Sequence, residues 1–217
     1  MGFLASDLIA NSRDSYNGTD DTFFTDTYLY QWLTDGCNSI ARRSFCIEAT
    51  CTDVTVASQA DYDYPDNCIA IKRITVDGKK VQLITKREYD VVTLTGQTSD
   101  TTGQPVFYTD FNNVISFFPI PSTDDLDIVF DYFSDQPALI EGSTVLVPYQ
   151  FQLGLVDYVL SKMYQKDKDF NSATYYDNRF EKTIREAIAY MQKKKRSDKF
   201  AQVQSEELLI NTIYGAT

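Results

Sequence analysis

The amino-acid sequence predicts an α+β fold: a small helical bundle of four helices, two N-terminal and two C-terminal, with an inserted β-barrel or sandwich-like module and an extended C-terminal tail. Three observations predict it. Apolar residues recur at helical spacing up to about residue 48 and again after Pro148. Between those stretches the period falls to two, and Thr, Val, Ile, Tyr and Phe become dense. Turn residues interrupt the middle stretch at short intervals, as antiparallel strands require. Helices at the two ends of the chain bury their apolar stripes by meeting in one bundle, which makes the strands an insert. The expected division is residues 1–48 with 148–196 for the bundle, 49–147 for the β module and 197–217 for the tail.

The first helix covers about residues 3–16, with Leu4, Leu8 and Ile9 on one side and Asn17-Gly18 as its stop. The second starts at Thr25 or Asp26 and carries Leu29, Trp32, Leu33, Cys37, Ile40 and Ala41 at helical spacing. It ends at Arg42 and Arg43, where the helix dipole favours cations. In the β module, Ile69-Ala70-Ile71 and Ile74-Thr75-Val76 lead into Asp77-Gly78, a type I′ hairpin signal, and Val81, Leu83 and Ile84 return as the partner strand. Gly103-Gln104-Pro105 opens a strand at Val106-Phe107-Tyr108, and residues 114–118 and 126–132 make two more. Pro148 fits the first turn of a third helix, whose Phe151, Leu153, Leu155, Val156, Tyr158, Val159, Leu160 and Met163 leave it apolar nearly all round. Such a helix belongs at the centre. After Asp167-Lys168-Asp169 a fourth helix sets Phe170, Ala173, Asp177, Phe180, Ile184, Ala187 or Ile188, and Met191 along one stripe. It is read as stopping at the cationic run Lys193, Lys194, Lys195 and Arg196. Residues 197–217 remain as a tail with one apolar segment, Leu208-Leu209-Ile210, expected to lack structure until it meets a partner.

The 217 residues carry 20 Lys and Arg against 31 Asp and Glu, a formal charge of −11. A surface of that sign repels phosphate backbones and acidic lipid, which argues against a general nucleic-acid binder. Histidine is absent. That removes the Ser-His-Asp triad, the Cys-His pair and His-ligated zinc, and with them most hydrolase mechanisms; no enzyme activity is expected. Cys37, Cys46, Cys51 and Cys68 show no C-x-x-C spacing, and the first residues lack the basic start and apolar run of a signal peptide. The thiols are expected to be reduced and partly buried, in a protein that stays inside the cell that makes it. No window approaches the roughly 18 consecutive apolar residues of a membrane span.

Carboxylates cluster at Asp61, Asp63 and Asp66 and again at Asp124, Asp125 and Asp127. A calcium loop starting at Asp61 needs glycine at its sixth position and glutamate at its twelfth; Asp66 and Lys72 stand there instead. Both clusters are read as solvated turns, with no metal. A glycosidase needs two acids held across a cleft, and no pair is singled out. The cationic run, extended to Lys199, sums to +4 and complements either a helix C-terminus or an acidic partner. Tyr62, Tyr64, Tyr89, Phe107, Tyr108, Phe111, Phe117, Phe118, Phe130, Tyr132 and Phe133 crowd the β module. They alternate with Asp and Thr rather than with cations, which suits core and protein contact better than base stacking. Asn17-Gly18-Thr19 spells a glycosylation sequon and is read as a turn.

Several stretches, taken in order, resemble the head-to-tail connector or adaptor proteins of tailed bacteriophages. They are the second helix with Trp32-Leu33 and Ala41; the Y-x-Y-P-D-N-C-I-A-I-K-R-I segment from Tyr62 to Ile74; Asp77-Gly78; and Gly103-Gln104-Pro105-Val106-Phe107-Tyr108. Val114-Ile115-x-Phe117-x-Pro119-x-Pro121, Val129-x-Asp131-Tyr132, Val147-Pro148-Tyr149 and Lys166-Asp167-Lys168-Asp169 with Ala173 and Phe180 complete the set, over about residues 1–195. The resemblance implies a structural virion protein whose copies stand side by side in a closed ring, usually of twelve, beneath the portal protein. It implies a downstream tail or nozzle protein below, DNA passing through without specific binding, no cofactor and no membrane. The location implied is the head–tail interface of a virion assembled in the host cytoplasm. The tail would dock on the portal through Lys193, Lys194, Lys195 and Arg196 and through Leu208, Leu209, Ile210 and Ile213. Two other readings stay open: a tail-tube or tail-terminator component, and a cytosolic carbohydrate-binding or hydrolytic protein using the acids and aromatics of the β module.

Overall fold

The computed structural model describes residues 2–17, 23–94 and 102–214, with side chains as far as residue 195 except at position 94. Its elements begin with α1 (Ala5–Tyr16), α2 (Asp26–Ser44), β1 (Glu48–Val54), β2 (Asp61–Asp63), β3 (Cys68–Val76), β4 (Lys79–Leu83) and α3 (Lys86–Leu94). They continue with β5 (Thr102–Gly103), β6 (Phe107–Phe111), β7 (Val114–Phe118), β8 (Ile120–Pro121), β9 (Asp127–Ser134), α4 (Tyr149–Lys166) and α5 (Phe170–Tyr214). The chain divides into two compact units, Met1–Ile47 with Gln136–Thr217, and Glu48–Asp135.

The first unit is helical. Asp7 caps α1 by accepting the Leu4 N–H at 3.1 Å, and Asn17, with φ of 61°, turns the chain out of it. The sequon beginning at Asn17 runs into Gly18 and Thr19, which lie outside the described residues. In α2, Leu29, Leu33, Cys37, Ile40 and Ala41 are buried, the stripe that the spacing predicts. Helix α4 is the central element: Leu155, Val159 and Met163 are fully buried, Val156 and Leu160 nearly so, and α1, α2 and α5 all pack on it. Close approach demands glycine at one crossing. A Cβ at Gly154 would stand 2.5 Å from Thr183 Cγ2 and Oγ1 and 2.8 Å from its Cβ.

Two buried glutamines tie the irregular segments to this scaffold. Gln152 accepts the Phe3 N–H at 2.8 Å and donates to the carbonyls of Val145 and Val147. Gln136 accepts the Leu146 N–H at 2.7 Å, while its own N–H reaches Asn38 Oδ1. Backbone groups that have left regular structure are satisfied in this way inside the unit.

Along α5, Ala173, Phe180, Ile184, Ala187 and Met191 are buried as expected, whereas Phe170 and Asp177 are exposed and Tyr176 stacks instead on Tyr164, ring centroids 5.5 Å apart. The helix does not stop at the cationic run. It continues to Tyr214, so residues 197–214, expected as an extended tail, are helical in their backbone. Cations alone do not end a helix, and the chain holds neither Pro nor Gly between Gly154 and Gly215.

The second unit is built on one seven-stranded sheet in the order β1-β9-β3-β4-β6-β7-β2, with a small β5-β8 ladder beside it. Every pairing is antiparallel except β4 with β6 and β5 with β8. A flat sheet would hold β1 and β2, at its two ends, about 29 Å apart. Residues 55–60, which join them, span at most about 25 Å. The sheet therefore curls into a half-barrel rather than a closed barrel or a sandwich. Its concave side holds Tyr62, Ile74, Val76, Val81, Tyr108, Ile115, Phe117, Ile128, Phe130 and Tyr132.

Asp77 and Gly78, with φ of 52° and 70°, make the hairpin turn that their types predict, pairing Val76 with Lys79. Helix α3 is a fifth helix that hydrophobic spacing does not announce. Its signal is a capping box, in which Thr85 N–H and hydroxyl donate to Glu88 Oε2 and Glu88 N–H donates back to the Thr85 hydroxyl. Its place between β4 and β6 explains their parallel pairing, since parallel neighbours need a crossover.

Candidate functional site

The residues expected to meet a partner all lie on α5. Met191 is the last described side chain that α5 buries, and Gln192, Lys193, Lys194 and Lys195 are exposed. Lys195 Nζ sits 5.7 Å from the centre of the Phe45 ring, at the C-terminal end of α2. Phe151 at the start of α4 packs edge-on against Tyr190, so α2, α4 and α5 share this end of the unit. Helix α5 has 45 residues, about 67 Å, whereas α4 has 18, about 27 Å. Twenty-three residues of α5 follow Met191. Arg196, Leu208, Leu209, Ile210 and Ile213 belong to that continuation, and their side chains lie outside the described residues.

A reading of Lys193, Lys194, Lys195 and Arg196 as neutralising a helix C-terminus does not survive this geometry. The last carbonyls of α5 are some 18 residues further on, and the dipole effect dies away within one turn. Successive cations in mid-helix follow one another around it at about 100° a residue.

The charges are unevenly shared. Residues 48–135 hold 15 acidic and six basic residues, a net −9, and the remainder 16 and 14, a net −2. The carboxylates of the second unit do not converge. Asp61 Oδ1 accepts the Ser116 hydroxyl on the edge strand β2, Asp124 Oδ1 accepts the Ala57 N–H at 2.6 Å, and Asp125 turns the chain with φ of 61°. Among the described residues no three His, Cys, Asp or Glu lie together as metal ligands would. Asp131 joins a row across three strands, accepting Thr50 Oγ1 at 2.8 Å and Arg73 Nε at 2.8 Å. Those bonds, the Thr50 hydroxyl first, hold its carboxyl below the usual range.

The four thiols are free. Burial pushes all of them up, Cys68 to about 12, with Asp110 adding to its shift, so none is a thiolate at neutral pH. The aromatics of the second unit divide between core and surface. Tyr62 stacks edge-on against Phe117 and accepts the Val56 N–H, while Phe111 is 62% exposed at the tip of the β6–β7 hairpin.

With helices from both ends of the chain packed around α4, and the half-barrel made by the residues inserted between them in sequence, the comparison of sequences decides the matter. The profile of the SU10 adaptor protein family matches residues 4–205, the greater part of both units. The chain belongs to the SU10 adaptor protein family. It is thus a structural adaptor of the tailed-phage type, a virion component whose family joins portal and tail proteins. No curated protein sequence matches it. No helix among the described residues is long and apolar enough to cross a membrane. In this adaptor the family match includes the cationic run and ends before Leu208, Leu209, Ile210 and Ile213, which places those four beyond what the family profile holds in common.

Proposed function

We propose that copies of this chain form a ring between portal and tail, and that α5 carries each copy onto the portal. The family match over residues 4–205 carries this reading. The length of α5 supports it, since a helix continuing 23 residues past its last described buried side chain presents a long surface to a partner. The cations at Lys193, Lys194, Lys195 and Arg196 orient the helix against an acidic portal surface. Leu208, Leu209, Ile210 and Ile213 anchor it. The ring is passive toward DNA. Acidic residues outnumber basic ones in both units, so a wall formed by either repels phosphates, and the duplex slides through without being gripped.

Mixing the protein with portal rings and imaging by negative stain tests this directly. Decorated portals are expected with the full chain, and bare portals with a chain truncated after Phe200. Decoration by the truncated chain overturns the docking role of the terminal segment. Replacing Lys193, Lys194, Lys195 and Arg196 with Gln is expected to weaken portal binding and flatten its dependence on salt; unchanged binding removes them from the contact.

A further inference from the structure

A second surface lies toward the other end of α2. The segment after Gln136 runs back along this helix, and Leu139 N–H donates to Thr34 Oγ1 at 3.0 Å. Ile140 and Ser143 then close a tight turn, backbone to backbone and N–H to hydroxyl, with Gly142 at φ of 78°. The turn holds Ile140 68% exposed. Between it and α2 lies a groove of about 440 Å³, lined by Tyr30, Thr34 and Asp35 on one side and by Leu139, Ile140 and Glu141 on the other, with Asp26 at its end.

Apolar Leu139 and Ile140 line it together with the acidic Asp26, Asp35 and Glu141. Asp26 is paired with Arg13, but Asp35 and Glu141 form no hydrogen bond or ion pair among the described residues. Burial, and after it the nearby carboxylates of Glu141 and Asp26, push the Tyr30 phenol up. No cation lines the groove. Two unneutralised carboxylates beside an exposed aliphatic side chain complement a segment that carries cations flanking an aliphatic residue.

Within one copy the cationic run does not reach it. Lys195 sits at Phe45, and the rise of α2 puts Asp35 about 15 Å and Asp26 about 29 Å from that end. If α5 leaves toward the portal, as proposed above and on which this step rests, the groove lies toward the tail side.

We infer that this groove docks a cationic, aliphatic-bearing segment of the downstream tail protein. The test measures binding of the full-length protein to a fluorescein-labelled helical peptide of Lys and Leu, with a Glu and Leu peptide as its counterpart. Binding of the first alone is expected, weakening as salt rises. Asp35→Lys with Glu141→Lys should weaken it at least ten-fold and Ile140→Ser several-fold. Asp124→Lys with Asp125→Lys, the same charge change on the half-barrel, should leave it within two-fold. Equal losses from both charge-reversed pairs, or none from the groove pair, overturn the inference. Portal rings separate it from the docking reading: the groove pair should still decorate portals, and the chain truncated after Phe200 should still bind the peptide. Loss of portal and peptide together from the groove pair overturns it. So does wild-type self-association that the groove pair abolishes, which assigns the groove to a second copy. Melting curves confirm that each variant is folded.

Discussion

The helical unit, with 129 residues, and the half-barrel, with 88, differ in how they distribute charge and build their cores. The half-barrel carries −9 of the −11 charges and a core rich in Phe and Tyr, whereas the helical unit is nearly neutral and closes around the aliphatic stripe of α4. A nearly neutral surface is the one on which copies of a protein can stand close together, because like-charge repulsion is smallest there. The difference teaches that the net charge of the whole chain is a poor guide to either surface.

Three measurements can break or sharpen that contrast. The largest effect is expected from emptying one core while sparing the other. Phe180 and Phe117 are each essentially buried, one in each unit, and replacing either with Ala should cost about 3–5 kcal/mol. The single tryptophan, Trp32, lies in α2 and reports on the helical unit alone. Phe180→Ala should lower the midpoint of its fluorescence melt, whereas Phe117→Ala should lower only the signal of the strands. Equal shifts of Trp32 fluorescence by both would show that the units unfold as one.

A smaller loss, about 1–3 kcal/mol, is expected from Gly154→Ala, because the new Cβ forces α4 and α5 apart at Thr183. Adding Thr183→Ala should recover part of it by removing the two contacts at 2.5 Å, while the 2.8 Å contact to the Thr183 Cβ persists. Chemical denaturation followed at Trp32 measures both.

The smallest effect contrasts two aspartates in acid. The Asp131 carboxyl in the half-barrel is held low, so its contribution is present above the ordinary value of about 3.9 and is lost as pH falls through its own lower value. Burial raises Asp157 in α4 against the opposing pull of Arg179 at 3.3 Å. A carboxyl raised by folding binds its proton more readily in the folded state, so stability is gained as pH falls from above its raised value toward the ordinary one. Asp131→Asn should remove an acid-dependent loss of about 1 kcal/mol or less, and Asp157→Asn should remove a gain. Denaturation midpoints between pH 7 and 3 that shift in the same direction for both variants would contradict these assignments.

Much of this was legible residue by residue. The stripes of α1, α2, α4 and α5, the turn at Asp77-Gly78 and the ordered motifs of the adaptor family are local patterns, and the backbone obeys them. Two further local signals lie outside hydrophobic periodicity. Thr85 with Glu88 marks the start of α3, and the absence of Pro and Gly after Gly154 leaves α5 nothing to stop it. The cationic run at Lys193 imitates a helix end because charge at a terminus and charge along an exposed face read alike in one dimension. Gln136 and Gln152 carried no signal at all: a buried glutamine is recognisable only when the carbonyls and N–H groups it serves have been brought to it.

From the sequence alone came the four bundle helices, most of the strands, their order and the family, since periodicity, turn chemistry and motif order are all encoded within short stretches of chain. Tertiary structure alone decided that β9 lies between β1 and β3, that the sheet stops at a half-barrel, and that Ile140 and Glu141 face Asp35 across a groove. Those juxtapositions join residues far apart in the chain. They are selected by how complete faces bury against one another, and no local pattern contains that choice.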